Sequence, residues 1–195
     1  KQNFPFIGLP SKRINYLNAP MPSTISSSSG VKASIKDYTY DDKSYMLNSK
    51  TLHQVYAKSV VGKMYDPDST NLLVTQTDSK VLSEDHLGNI ESQTQTTLDH
   101  TTDKTHKTTE TYEYDNDTAN WIIGKVTQLV STAETLNESD TKKIITQEYT
   151  YDGSTGALNT QKQLLDDDQY LLKSYAYTSA GNVESETLSG TGIDT

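Results

Sequence analysis

The sequence predicts an all-β fold in which tandem antiparallel β-hairpins form an extended, curved sheet. Three observations carry this prediction: a tyrosine doublet recurs along the chain, apolar residues alternate with polar ones, and no stretch has convincing helical spacing. Val31, Ala33 and Ile35 illustrate the alternation that is typical of a half-buried strand. We therefore expect one large β domain or one stretch of repeats.

The doublet consists of a tyrosine, any residue and a second tyrosine, usually followed by aspartate. Two aromatic residues at this spacing lie on one face of a β-strand, and Asp, Asn or Gly then tolerates a turn. The copies are Tyr38 and Tyr40; Tyr112, Tyr114 and Asp115; Tyr149, Tyr151 and Asp152; and Tyr175 and Tyr177, which run on to Gly181 and Asn182. A chain that repeats one such unit is usually an array that serves as a scaffold.

The composition limits the classes of partner. Only 32% of the 195 residues are hydrophobic, which suits a sheet with one buried and one wet face better than a thick multilayer core. The net charge of −9 argues against nucleic acid or an anionic membrane surface, because both need a basic patch. No apolar run is long enough to insert across a bilayer. The absence of cysteine excludes disulfides and thiolate metal sites.

The chain divides into two parts by composition. We expect an irregular opening segment and a Ser-rich linker over residues 1–30, and the hairpin array over residues 31–195. Because the chain starts at Lys1 without an initiator Met, we interpret it as an excised or processed piece of a longer protein. Predicted turns lie at residues 41–43, 65–68, 86–89, 137–140, 166–168 and 180–182.

Two local features carry further expectations. Residues 93–114 are rich in threonine, whose β-branch favours strands, and we expect the strands at 93–111 to form the edges of the sheet. Trp121, the only tryptophan, is expected to anchor a local core. We expect at least half of its side chain to be buried, and the same for Tyr114, Tyr151 and Tyr177.

The doublets, and the Asp-rich turn that leads into the run from Trp121 through Gly124 to Lys125, resemble bacterial RHS/YD-repeat proteins. The closest likeness is to those of the Tc-toxin B-component and SpvB-associated type, and residues 6–10 resemble the segment that precedes the repeats there. The likeness covers most of the chain, although no motif is specific to a single activity.

The resemblance implies a long β-sheet that winds into a hollow shell around a toxin or effector, carried by the same or a partner chain. This chain would be a segment of the shell wall, in a secreted or surface-exposed bacterial protein. Its partners would be the rest of the parent chain and the enclosed toxin or effector. The family's autoproteolytic residues cannot be placed on this sequence, so no catalytic residue, metal ligand or cofactor is predicted.

Each candidate motif also has a plainer interpretation. The tyrosine pairs could stack on sugars or bases, but a ligand site needs convergence, whereas repetition favours cross-strand packing. His100 and His106 would lie roughly 20 Å apart on a straight strand, too far for one metal ion. The acidic turns at 66–68, 115–117 and 166–168 could bind calcium weakly, although none matches an EF-hand loop.

The sequence therefore favours a non-enzymatic β-repeat segment that helps to enclose a cargo. The alternative is a surface module that recognises a host glycan or protein through exposed tyrosines. A hydrolase is a third hypothesis, because acidic residues are abundant, but the chain has no Gly-x-Ser-x-Gly elbow and no phosphate-binding glycine loop. Unpaired sheet edges would need protection by charge or edge-to-edge pairing with another copy.

Overall fold

The computed structural model describes residues 5–17, 31–47, 49–69, 71–85, 87–139, 141–165 and 169–191, and these ranges form strands and turns without a helix. The strands are β1 (Lys12–Leu17), β2 (Val31–Leu47), β3 (Lys50–Tyr65), β4 (Leu72–Leu82), β5 (Ile90–Asp99), β6 (Lys104–Asp117), β7 (Ile122–Thr135), β8 (Lys143–Tyr151), β9 (Leu158–Leu164), β10 (Tyr170–Tyr177) and β11 (Val183–Gly190). The Ser-rich linker predicted before residue 31 lies outside the described residues.

All eleven described strands belong to one open sheet, and their order in space is their order in the chain. Each strand is antiparallel to the one before it, so each consecutive pair is a hairpin and no connection crosses the sheet. The predicted all-β array of tandem antiparallel hairpins is confirmed. The arrangement keeps contacts local, because each strand pairs only with its neighbours in the chain.

The sheet is a single layer with very little core. Among the described residues only Ile35 and Leu82 are buried hydrophobic side chains. Most other strand residues are partly exposed, which agrees with the low hydrophobic content of the chain. Stability must therefore come chiefly from the hydrogen-bond ladder and from side-chain pairs across neighbouring strands.

Hydroxyl side chains line up across the strands on the face opposite the tyrosines. Ser79 pairs with Thr94, and Thr94 pairs with Thr109. The Oγ1 atoms of Thr94 and Thr109 are 3.3 Å apart, and those of Thr150 and Thr160 are 2.6 Å apart. Threonine thus contributes twice to this fold, through its β-branch and through hydrogen bonds between strands.

Most predicted turns are found where hairpins reverse. Turns follow β3, β4, β7 and β10, and β9 and β10 flank the predicted turn at 166–168, which lies outside the described residues. The prediction of a turn at 41–43 is wrong, because β2 continues to Leu47. Asp41 and Asp42 stay in the strand, where Lys58 lies 2.8 Å from the Asp41 carboxylate and His53 lies 2.7 Å from that of Asp42.

The prediction that the strands at 93–111 form the edges is also wrong. They are β5 and most of β6, which lie in the middle of the sheet between β4 and β7. The edges are β1 and β11. The threonine content did not indicate an edge, because threonine hydroxyls on paired strands form hydrogen bonds with each other as readily as they would with water at an edge.

Trp121 does not anchor a core: it is 75% exposed, which contradicts the prediction. It lies in the turn between β6 and β7 with a φ angle of 58°, a left-handed conformation that the turn imposes. Its side chain therefore extends into solvent and does not pack on the sheet. Tyr114, Tyr151 and Tyr177 are more than half buried, as expected.

Candidate functional site: the tyrosine clamps

The tyrosine doublets lie in four even-numbered strands, in the middle of β2 and near the carboxyl ends of β6, β8 and β10. Within two of them the rings stack along the strand: the centroids are 6.3 Å apart for Tyr38 and Tyr40, and 6.3 Å apart for Tyr112 and Tyr114. This confirms for these two doublets that both rings share one face of the sheet.

The second tyrosine of every doublet donates a hydrogen bond from its hydroxyl to a backbone carbonyl of the preceding strand or, for Tyr40, to one just before that strand. The four hydrogen bonds run from Tyr40 to Pro10 (2.9 Å), from Tyr114 to Ile90 (2.9 Å), from Tyr151 to Val126 (2.9 Å) and from Tyr177 to Leu158 (2.8 Å). We call each pairing a tyrosine clamp. It ties one end of a hairpin together through a side chain, beyond the backbone ladder.

The clamps share one register. In the ladder, the residue four before the clamp tyrosine lies opposite the residue three after the carbonyl acceptor. The pairs are Lys36 with Arg13, Glu110 with Gln93, Gln147 with Leu129, and Lys173 with Gln161. The clamp is therefore the same structural unit in all four hairpins.

A glycine precedes each carbonyl acceptor by two residues and has a positive φ angle. These glycines are Gly8 (85°), Gly88 (89°), Gly124 (75°) and Gly156 (70°). At Gly156 a Cβ atom would lie 3.0 Å from Ile122 Cγ2 and 3.1 Å from Lys125 Cε. Glycine is needed there both for the backbone conformation and for the space.

A register shift falls directly before the clamp position, which is Leu82 in β4, wherever an even-numbered strand pairs with the next one, and the extra residue of this β-bulge lies in the next strand. The register shifts fall between Thr39 and Tyr40, between Val81 and Leu82, between Glu113 and Tyr114, between Thr150 and Tyr151, and between Ala176 and Tyr177. Bulges accentuate the local twist of a strand and redirect its side chains. The register shift thus falls at the same point of the repeat in every even-numbered strand.

The bulge between β4 and β5 reveals a fifth copy that the tyrosine pattern did not detect. Leu82 occupies the clamp position, and Lys80 occupies the position of the first tyrosine. Leu82 is 3% exposed and is the most buried hydrophobic side chain described. The clamp position precedes the next positive-φ glycine by six residues for Leu82 and Gly88 but by four for Tyr177 and Gly181, so counting back from the glycine would not have located it.

The aspartates after the doublets play different roles. The Asp152 carboxylate accepts hydrogen bonds from Ser154 and Thr155, and the Ser154 hydroxyl is the largest of several causes that hold the pKa of Asp152 far below its ordinary value. Asp115, predicted to begin a turn, instead remains within β6. Asp117 closes that turn, with its Oδ1 atom 3.0 Å from the backbone nitrogen of Asn120.

A polar cluster joins two neighbouring turns of the sheet. The Asp85 carboxylate accepts hydrogen bonds from Asn89 at 2.7 Å and Asn116 at 3.1 Å. The Asn116 Oδ1 atom in turn accepts the backbone N–H of Gly124 at 2.8 Å. The β4–β5 turn is therefore connected to the β6–β7 turn by side chains as well as through the sheet.

The tyrosine-bearing face also carries an open groove of about 450 Å³ over β4, β5 and β6. Asp78, Gln93 and Glu110 contribute to its lining. The Tyr112 hydroxyl donates to Glu110 at 2.6 Å and accepts a hydrogen bond from Gln93 at 2.8 Å. Burial, and then the Glu110 carboxylate, raise the pKa of Tyr112, so this hydroxyl stays protonated.

The described residues hold no group of three or more His, Asp or Glu side chains placed to bind a metal ion. His100 contacts the Thr75 hydroxyl at 2.9 Å, and His106 contacts the Thr135 hydroxyl at 3.0 Å. The part of the chain that is described also contains no helix long and apolar enough to cross a membrane.

Comparison with known proteins gives no family assignment. No family model matches the chain, and no curated protein matches it significantly.

Proposed function

We propose that this chain is a non-enzymatic structural segment of a large secreted or surface-exposed bacterial protein of the RHS/YD-repeat type. In this role it forms part of a shell wall around a toxin or effector. The observation that carries the proposal is the clamp, which recurs in one register in four hairpins and is replaced by Leu82 in a fifth. A hydrogen bond that recurs in this way can be added with each further hairpin of a sheet, and it does not bring side chains together at one ligand-binding site.

The chemistry of the sheet supports a wall. Backbone groups within the ladder are paired strand to strand, so the layer has no gap between neighbouring strands. The acidic net charge keeps such a polar layer soluble. One face can then meet solvent while the other meets an enclosed chain.

The test is to compare the two faces within the full-length protein that contains this chain. Because the chain lacks cysteine, Gln95→Cys and Thr96→Cys place single thiols on opposite faces of β5. A bulky polyethylene-glycol maleimide should modify only one of them in the folded parent and both after denaturation. The isolated chain is the control, since both of its faces are open and both thiols should react. Equal modification of the two faces in the folded parent would contradict a wall.

The groove supports a second candidate function, recognition of a host glycan or protein. Its lining supplies carboxylates and amides, which bind sugar hydroxyls, and the Tyr112 hydroxyl is bonded to the lining residues Gln93 and Glu110, which places a ring that could stack on a sugar beside the groove. Loss of binding in a glycan array with Tyr112→Ala, together with an unchanged β-sheet circular dichroism spectrum, would favour this function. The matched variant Tyr112→Phe separates ring stacking from the hydroxyl bonded to Glu110.

A further inference from the structure

The outer edge of β11 is the side that faces away from β10. It has the glycine and the carbonyl that form the acceptor part of a clamp, at Gly181 and Val183. Gly181 has a φ angle of 81° and precedes Val183 by two residues, the spacing that leads to each carbonyl acceptor in the four clamps. Val183 is 56% exposed, and no tyrosine hydroxyl in the described part of the chain is bonded to its carbonyl. The register shift between Ala176 and Tyr177 also gives β11 the bulge found at the other repeats.

Three of the other odd-numbered strands show what belongs on such an edge, whereas β3 differs because its partner β4 has Leu82 at the clamp position. On their outer side β5, β7 and β9 each pair with an antiparallel strand whose tyrosine closes a clamp. The outer side of β11 has no partner among the described residues. Its side chains are largely exposed from Val183 to Ser189.

The shared register identifies the residue that would face Glu186. A clamp on the Val183 carbonyl places the residue four before the tyrosine opposite the residue three after Val183, which is Glu186. The Glu186 carboxylate already attracts a lysine, because Lys173 of β10 lies 2.8 Å from it. A second basic residue on the other side is the charge complement, since opposite charges directly across a ladder attract.

We propose that the outer edge of β11 binds a further antiparallel strand that ends in tyrosine and carries lysine four residues earlier, and that the isolated chain accepts this strand as a separate peptide. Main-chain hydrogen bonds give the affinity, and the clamp and the lysine fix the register. The inference rests on the proposed role as a sheet segment, and it names the chemistry of that segment's neighbour. β10 has the whole pattern, through Lys173 and Tyr177, and β2 has the same spacing in Lys36 and Tyr40 but continues beyond the tyrosine.

The probe is a peptide with the sequence of residues 170–177, capped at both ends and carrying a soluble polyethylene-glycol tail. Fluorescence anisotropy with the wild-type chain should show saturable binding. Hydrogen–deuterium exchange should then show slower exchange in β11, with β10 unchanged. Protection at β1, or faster exchange in β10 because the peptide displaces it, would overturn the proposal.

Peptide variants test the two recognition elements while the protein stays wild type. The Tyr177→Phe peptide should bind about 2- to 10-fold more weakly, because it lacks the hydroxyl but keeps the ring. The Lys173→Glu peptide should bind up to about 5-fold more weakly than the wild-type peptide. A scrambled peptide of the same composition is the control for non-specific association.

A charge exchange completes the test. The protein variant Glu186→Lys should prefer the Lys173→Glu peptide over the wild-type one. Equal binding of the tyrosine and phenylalanine peptides, or no binding of any peptide, would refute the docking site. Either result would leave the thiol-modification test in the parent protein unaffected. A failure of this docking proposal can therefore be distinguished from a failure of the proposed shell-wall function.

Discussion

The Tyr151 hydroxyl in β8 donates a hydrogen bond of 2.9 Å to the Val126 carbonyl in β7. The two residues are 25 positions apart in the sequence, so the bond fixes one whole hairpin. It gives the Val126 carbonyl a hydrogen-bond donor beyond the end of the β7–β8 ladder, whose last pair is Gln128 with Glu148. At the same point the pairing of β8 with β9 has a register shift, between Thr150 and Tyr151. A side chain thus takes over where the backbone ladder becomes irregular.

Removal of this hydroxyl should destabilise the sheet. We expect Tyr151→Phe to lower the free energy of unfolding by about 0.5–1.5 kcal/mol, the net worth of one hydrogen bond. Tyr149→Phe is the matched control, because the Tyr149 hydroxyl bonds only to the Gln147 side chain on the same strand. Urea denaturation followed by circular dichroism measures both. Equal losses in the two variants would show that the clamp has no special role.

The glycine of the clamp should resist substitution. Gly156→Ala introduces a Cβ atom at a φ angle of 70° and 3.0 Å from Ile122 Cγ2. The left-handed conformation alone costs an L-residue about 1–2 kcal/mol, and the contact adds to that cost. Gly153→Ala in the same turn is the control, since no atom lies within 4 Å of its added Cβ. Thermal unfolding should separate the two variants clearly, and similar melting temperatures would contradict this account.

Leu82 should be the most sensitive apolar position among those described. Leu82→Ala leaves a cavity at a side chain that is 3% exposed, and we expect a loss of about 2–5 kcal/mol. Leu188→Ala removes the same atoms from a side chain that is 52% exposed, and its effect should stay within about 0.5 kcal/mol. Urea midpoints measured on both variants decide the matter. A small effect at Leu82 would mean that this hairpin needs no apolar anchor.

The repeat was predictable because it depends on local chemistry. Tyrosines two residues apart and the turn residues after them specify strand, face and turn together, and consecutive hairpins then need no long-range information. The partial burial of Tyr114, Tyr151 and Tyr177 follows from the same pattern. The pairing of β5 with β6 in mid-sheet did not follow, because threonine serves a paired strand as well as an edge strand.

The clamp itself was beyond the sequence pattern. Its acceptor is a backbone carbonyl, which any residue provides, so the apolar side chains of Pro10, Ile90, Val126 and Leu158 do not identify it, and only the glycine two residues earlier marks the position. Trp121 failed as a core residue for a related reason. Hydrophobicity favours burial, but its place in a left-handed turn sets the side-chain direction first.

Acid should weaken the turn between β5 and β6. The hydroxyl of Thr101 and further hydrogen bonds from residues 101 and 102 lower the pKa of Asp99 from 3.8 to about 2. A lowered pKa means that the folded state favours the charged carboxylate, so its contribution is complete above the unfolded value and is lost as the pH falls through the folded one. We therefore expect stability to decrease between about pH 4 and pH 2. Asp99→Asn keeps a hydrogen-bond acceptor but cannot titrate, so urea midpoints measured across this range should depend less on pH in the variant. Identical pH profiles for the variant and the wild type would show that Asp99 does not couple protonation to folding.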